Sequence, residues 1–237
     1  MITCVIASYK YGHLVSQAIE SVLSQTKKFD KIIVVDDGAY DLNLALTKYV
    51  NEDIKWVMRS DNLGTVLNFQ DILMNHVDTE QCMFLGADNY LRPDTLEILT
   101  KYEADIISYD IALFGTESPQ FARRVGAYEV KNGFPIWRFK HGNINICNYI
   151  HGSSLYNVSL AKEVGGYHAS GNRNSEEDWM LWRAMLAKKA THIHVPEPLL
   201  YYRRHKHNFI KPRQVNQSNH EPEMTSDVEL KKENSHA

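Results

Sequence analysis

Three cysteines in 237 residues, Cys4, Cys82 and Cys147, are too few and too scattered for a disulfide framework or a thiolate metal cluster. Cys4 and Cys82 sit inside apolar runs and read as buried, reduced thiols. Charge of one sign is also scarce. Against 29 Asp and Glu there are 26 Lys and Arg, a formal net charge of −3, so nothing draws the whole molecule to nucleic acid. No apolar run nears the roughly 20 residues that span a bilayer. The opening MITCVIASYK has no basic leader and reads as a first strand rather than a signal peptide. A cytoplasmic protein is expected, with contact at the inner face of the plasma membrane left open. The first turn, ASYKYGH, lacks GxGxxG, which sets aside dinucleotide binding and hydride chemistry.

What is present is alternation. Ile2 to Ala7, KIIVV (31–35), IKWVM (54–58), Cys82 to Leu85 and ADIISYD (104–110) are strand-like runs. Between them lie helical patterns over Leu14–Leu23, Leu42–Val50 and Thr65–Met74, and one opened by Pro93 with Leu96 and Leu99 on a single face. Near-continuous apolar strands alternating with helices predict an α/β fold, a mostly parallel sheet with helices on both faces. After Tyr109 the period fades until HGSSLYN, VSLAKEVGGY, a helix over 175–189, THIHV and PLLYYRR. Beyond about Lys206 the composition is polar and reads as a mobile tail.

In an open parallel sheet, ligands sit beyond the carboxyl ends of the strands. Three polar groups fall there: Ala7-Ser8-Tyr9, Asp36-Asp37 and Asp88-Asn89. Each has a plain alternative. Asp36 or Asp37, ahead of Gly38, can bond the amides of a turn, or can accept bonds from a nucleoside. Asp88 can cap a turn before Pro93, or can hold a hard divalent cation that keeps its other positions for phosphate and water. In SEEDWMLWRA the acids suit a helix start, with Ser175 as cap and Trp179, Trp182 and Leu186 as the packed face. A partly desolvated carboxylate at that helix start can equally be a general base.

Taken in order, CVIASYKYGHLVSQAIESVLSQT, KIIVVDDGA, DNLGTVLNFQDIL, FLGADNYLRPDTL, GSSLYNVSLAKEVGGY and EEDWMLWRAMLAKKATHIHVPEPLLYYRRH resemble the family 2 glycosyltransferases of GT-A fold. The resemblance implies a single Rossmann-like domain with a nucleotide-sugar-binding half over 1–109 and an acceptor and catalytic-base half over 110–205, followed by the tail 206–237. It implies that Ala7, Ser8, Tyr9, Asp36 and Asp37 surround the nucleoside and that Asn62 and Gly64 form an Asn-x-Gly turn against it, with Asn68 further along. Asp88 matches the last acid of the Asp-x-Asp motif, so it would hold Mn2+ or Mg2+, with Ala87 beside it at the donor and His205 approaching the metal. Asp178 matches the catalytic base of inverting members, with Glu177 its neighbour. Where relatives carry the first motif acid this chain has Gly86, and Ala39-Tyr40 replace common hydroxyl residues.

His151, Trp179 and Arg203 fall where acceptor or diphosphate would lie. Arg203 and Arg204 suit phosphate, although alternation on a solvated strand accounts for one of them. Trp137 and Tyr149 suit either sugar stacking or core packing, with core the better reading. The implied reaction moves a sugar from a nucleotide-diphospho-sugar, UDP or dTDP being favoured, to a saccharide or lipid-linked saccharide, in surface polysaccharide or glycoconjugate synthesis. Rival readings are a catalytically silent nucleotide-sugar-binding module and a sugar nucleotidyltransferase; the latter would need a glycine-rich basic loop where this chain has SYKYGH.

Overall fold

A strand as apolar as Ile2–Ser8 (β1) can be satisfied only in the middle of a sheet covered on both faces. The computed structural model describes residues 1–168, 176–206 and 208, and places β1 there. The expected Ser175 cap and nearly all of the 206–237 stretch lie outside the described residues. The first half continues with α1 (Val15–Leu23), β2 (Lys31–Asp36), α2 (Asn43–Lys48), β3 (Ile54–Met58), α3 (Thr65–Asn75), β4 (Gln81–Gly86), β5 (Tyr90–Leu91), α4 (Thr95–Leu99) and β6 (Ile106–Phe114). There follow α5 (Ser118–Val125), β7 (Glu129–Lys131), β8 (Phe134–Trp137), β9 (Leu155–Asn157), α6 (Val158–Glu163), α7 (Glu177–Ala187) and β10 (His192–Arg203).

The sheet order is β3-β2-β1-β4-β9-β6-β10-β5, with β7 and β8 attached beside β6. β1 pairs parallel with both β2 and β4, as β2 does with β3 and β6 with β10. From β1 the chain steps outward to β2 and β3, then returns across β1 to β4. The strand ends of β1, β2 and β4 therefore flank a topological switch point, where open α/β sheets bind ligands. The short β9 runs antiparallel to both β4 and β6 and joins the two parallel blocks.

Each face carries its own core. On one, Val15, Ala18, Ile19 and Val22 of α1 pack with Leu96 and Leu99 of α4 and Phe121 of α5 over Cys4, Ile6 and Leu85. On the other, Ile72 and Leu73 of α3, Ala161 of α6 and Leu181, Trp182 and Met185 of α7 cover Val5, Phe84 and Ile106. Cys4 and Cys82 are buried free thiols, whereas Cys147 is exposed. Among the described residues no helix is long and apolar enough to cross a membrane.

Boundaries differ from the sequence reading where tertiary pairing extends or trims a run. β6 continues past Asp110 into the aperiodic stretch because β8 and β10 supply partners to Phe114. THIHV and PLLYYRR are one strand whose register slips around Pro198, a residue with no N–H to give the ladder. Of HGSSLYN only Leu155–Asn157 is strand. On α7 the fully covered stripe is Leu181, Trp182 and Met185, with Trp179 and Leu186 at its margin.

Trp182 is fully buried, yet its indole nitrogen has no hydrogen-bond partner. Trp182→Ala should cost about 3–5 kcal/mol in denaturant unfolding. Trp182→Phe, which deletes the orphan donor and keeps an aromatic ring, should cost nearer 1 kcal/mol. Equal losses in the two variants would contradict this packing.

Candidate active site

Three strand ends meet at the switch point, and two buried acids set its geometry. Asp36 lies in register with Ser8, and Asp36 and Asp37 are only 1% and 3% exposed. Asp37 Oδ2 accepts from Gly64 N and Asn62 Nδ2, both at 2.9 Å, and Oδ1 accepts from Leu63 N at 3.0 Å. Arg59 Nε stands 3.9 Å from Oδ1. Asp37 thus clamps the Asn62-Leu63-Gly64 turn to the end of β2. Gly64, at φ 78 and ψ 162, adopts a backbone that only glycine takes readily. Gly38 is needed for closeness as well as for its positive φ, since a Cβ there would come within 2.6 Å of Asp61 backbone.

The neighbours divide into groups spent internally and groups left over. Asp36 Oδ1 accepts from Ala39 N at 2.8 Å, while Oδ2 has no partner. Asn68 is buried and gives its side-chain oxygen to Arg59 Nε at 2.8 Å, so it braces an internal ion pair of Arg59 with Asp71. The Ser8 hydroxyl is buried without a partner, Tyr9 is exposed, and Ala7 O accepts from Ala87 N at 3.0 Å, tying the end of β1 to that of β4.

After β4 the chain turns on an Asn89 N to Gly86 O bond of 3.0 Å, which leaves Asp88 8% exposed. Burial raises the Asp88 carboxyl above its usual range, with His205 partly offsetting the rise. His205 Nε2 lies 3.3 Å from Asp88 Oδ2, and its ring meets Tyr11 edge-on at 5.5 Å. Arg203 donates from its backbone N to Asn89 Oδ1 (2.9 Å) and from Nε to Asp88 O (3.0 Å), and its far end reaches Gln17. A Cβ on Gly86 would stand 2.9 Å from Asn89 Nδ2 and 3.0 Å from Asp88 Oδ1. Both atoms are ends of side chains, so the loop is close at Gly86 but a larger residue would need only those side chains to move. Among the described residues no group of three or more His, Cys, Asp and Glu is arranged to hold a cation. Asp88 Oδ2 and His205 Nε2 do stand at about the 3 Å separation of adjacent ligands on one ion with bonds of about 2.1 Å.

The second cluster opens α7. Glu176 has φ 64, a strained conformation for a non-glycine residue, and turns the chain into the helix. Glu177 and Asp178 occupy the first turn, where the helix dipole favours negative charge. Asp178 Oδ1 accepts from Trp179 N at 2.7 Å, and Asn148 also bonds the carboxylate. Desolvation nevertheless pushes Asp178 up to about 6; Glu177, half-buried and facing the Asp178 charge, rises to about 8. Both carboxyls are thereby raised, Glu177 further than Asp178.

The 138–150 segment lies against this helix. Trp179 Nε1 donates to Ile144 O at 2.6 Å, and a buried carboxylate on β6, Asp110, accepts from Phe139 N (3.3 Å), from His194 Nε2 (3.0 Å) and from Arg138. Ser108 Oγ links His194 Nδ1 at 2.9 Å to His192 Nε2 at 2.8 Å. Sequence reasoning missed this network and missed Asn148. The signal was in THIHV, whose two histidines alternate in step with Ser108 and Asp110 on the neighbouring strand. His151 is buried between Tyr109 and Phe139, and both its ring nitrogens lack partners. Burial, reinforced by His194, lowers it to about 3, so it offers a diphosphate no charge. Trp137 packs on Phe121 and Phe139, and Tyr149 is buried, which fits core packing for both.

A GT-A type sheet with acids grouped at the switch point defines a broad class. The profile described as Glycosyl transferase family 2 matches residues 3–165, and the chain belongs to that family. An uncharacterized glycosyltransferase of Haemophilus influenzae is 25% identical over 211 residues, covering 85% of this chain and 74% of the relative. The bifunctional glycosyltransferase pgtA of Dictyostelium discoideum is 22% identical, with 81% of this chain matched to 30% of that protein. Among solved structures, S. aureus TarS 1–349 in complex with UDP superposes with a TM-score of 0.64 at 17% identity, over 86% of this chain and 60% of that one. The mannosyltransferase PcManGT of Pyrobaculum calidifontis, in complex with GDP-Man and Mn2+, gives 0.63 at 15% identity, over 88% and 58%. The chain thus spans about 60% of the length of these solved chains.

Removing the clamp should loosen the turn before anything else. Asp37→Ala leaves the Leu63 and Gly64 amides without their acceptor and should cost about 3 kcal/mol, with hydrogen exchange at those amides accelerating first. Unchanged protection at residues 62–64 would show that the turn is held by other means.

Proposed function

We propose that the protein is an inverting glycosyltransferase that moves a sugar from a nucleotide-diphospho-sugar to an acceptor hydroxyl. The observation that carries this reading is the Asp178 carboxylate. It is partly buried, raised to about 6, fixed by Trp179 N and Asn148, and faces the segment in which acceptor contacts are expected. TarS has been solved with UDP and PcManGT with GDP-Man, which supports a nucleoside diphosphate sugar as donor.

In this reaction the acceptor oxygen attacks the anomeric carbon as the bond from that carbon to the distal phosphate breaks, and configuration inverts. Asp178 takes the hydroxyl proton, and the nucleoside diphosphate leaves with the bonding pair. Glu177 is raised further than Asp178 by desolvation and the neighbouring Asp178 charge, which favours Asp178 as the base of the pair. The Asp37-clamped turn, with Asp36, Ala7, Ser8 and Tyr9, forms the nucleoside end. Asp88 and His205 would hold a divalent cation, Mn2+ or Mg2+, which when bound supplies charge neutralisation to the departing diphosphate. With Gly86 in place of a second acid, two protein ligands would leave most positions to phosphate and water.

Asp178→Asn keeps shape and removes the base, so turnover should fall about 10²–10⁴-fold while UDP affinity in calorimetry stays within about twofold. A variant that retains full transfer would contradict the role. Because the base acts deprotonated, turnover should rise with pH and level off above about 6, the value to which burial lifts Asp178. A profile flat from pH 5 to 8 would place the base elsewhere.

A further inference from the structure

Among the described residues Arg204 is the one arginine that is buried, at 7% exposure, and its Nε and Nη1 have no hydrogen-bond partner. Other arginines near the sheet ends are satisfied: Arg59 by Asp71, Arg92 by Asp94 and Glu197, Arg138 by Glu129 and Asp110. Arg203, next in the chain, holds Asp88 O and Gln17. Arg204 instead hydrogen-bonds the Tyr202 side chain and lies against aromatic rings, its guanidinium carbon 4.2 Å from the Phe121 ring centroid and 5.8 Å from that of Tyr202, and among the described residues no acid pairs with it. Its backbone is fixed on both sides, N donating to Phe114 O at 2.7 Å and O accepting from Glu117 N at 3.0 Å, so the side chain is held where it is.

A guanidinium cannot shed its proton at any ordinary pH, so burying it without an acid is costly unless an anion arrives. The position of the charge indicates which anion. Tyr11 and Tyr202 lie in the fields of both Asp88 and Arg204, and Tyr11 touches His205, the partner of Asp88. Arg204 therefore borders the corner assigned above to the diphosphate. The same corner has Gly86 where the first motif acid would stand.

We propose that Arg204 is a built-in countercharge for the diphosphate of the donor and of the departing nucleoside diphosphate, a phosphate-binding residue beyond the Asp88–His205 pair. This rests on the nucleotide-sugar reading. Sequence alone left Arg203 and Arg204 equivalent; burial separates them.

The test compares UDP with uridine, and GDP with guanosine, by titration calorimetry on the native chain and on Arg204→Met, with thermal unfolding of both free proteins alongside. The countercharge predicts that affinity for the diphosphate the native chain binds falls tenfold or more in Arg204→Met, while the matching nucleoside binds within twofold. It also predicts a free-state melting temperature that is unchanged or raised, since an orphan buried charge has been removed. Diphosphate affinity retained within twofold overturns the proposal. So does an Arg204→Met chain that fails to fold, because the cation would then be serving the aromatic packing. A native chain that binds neither UDP nor GDP defeats the nucleotide reading first, and this inference with it.

Discussion

The carboxylate of Asp37 cannot be buried alone, and the turn that satisfies it shapes the strand-end corner proposed above for the nucleoside. Two backbone amides and the Asn62 side chain converge on it, so the loop after β3 is locked to the end of β2. Glycine at 38 and 64 follows from that lock, one for closeness to Asp61 and the other for a backbone angle near φ 78. A loop pinned in this way presents its main chain in a fixed position, which preorganised binding requires.

Beyond the clamp, the two ends of the site have opposite electrostatic characters. The Asp88 corner is rich in basic residues, with Arg203, the buried Arg204 and the His205 ring near one carboxylate. The start of α7 is rich in acids whose carboxyls are raised by burial. A group-transfer reaction that expels a diphosphate and accepts a proton needs this polarity, positive where charge departs and basic where the acceptor is activated. The Asp110 network anchors the 138–150 segment between the two ends, through Phe139 N and Arg138.

How much was legible depended on range. β1, β2, β3 and β4 were readable because buried parallel strands are continuous apolar runs, and their order with DNLG and FLGADN resembled a known family closely enough to locate the strand-end acids. The place of Asp178 in the first turn of α7 was readable because acids at a helix start ahead of an apolar stripe are a local pattern. Asp37 as a clamp was not, because its partners lie 25 to 27 residues away. Nor was Asp110, whose histidine partner is 84 residues distant. Arg203 and Arg204 look alike in sequence, and only the end of β10 against Phe114 and Phe121 buries one and engages the other.

The most direct measurement is a crystal structure of the protein soaked with UDP and, separately, with GDP, each with Mn2+. The account predicts one nucleotide with its base and ribose against the Asp37-clamped turn and its diphosphate in the corner bounded by Asp88, His205 and Arg204, the Asp178 carboxylate facing the open side. A nucleotide seated away from the ends of β1, β2 and β4, or no bound nucleotide at saturating concentrations of both, would contradict it.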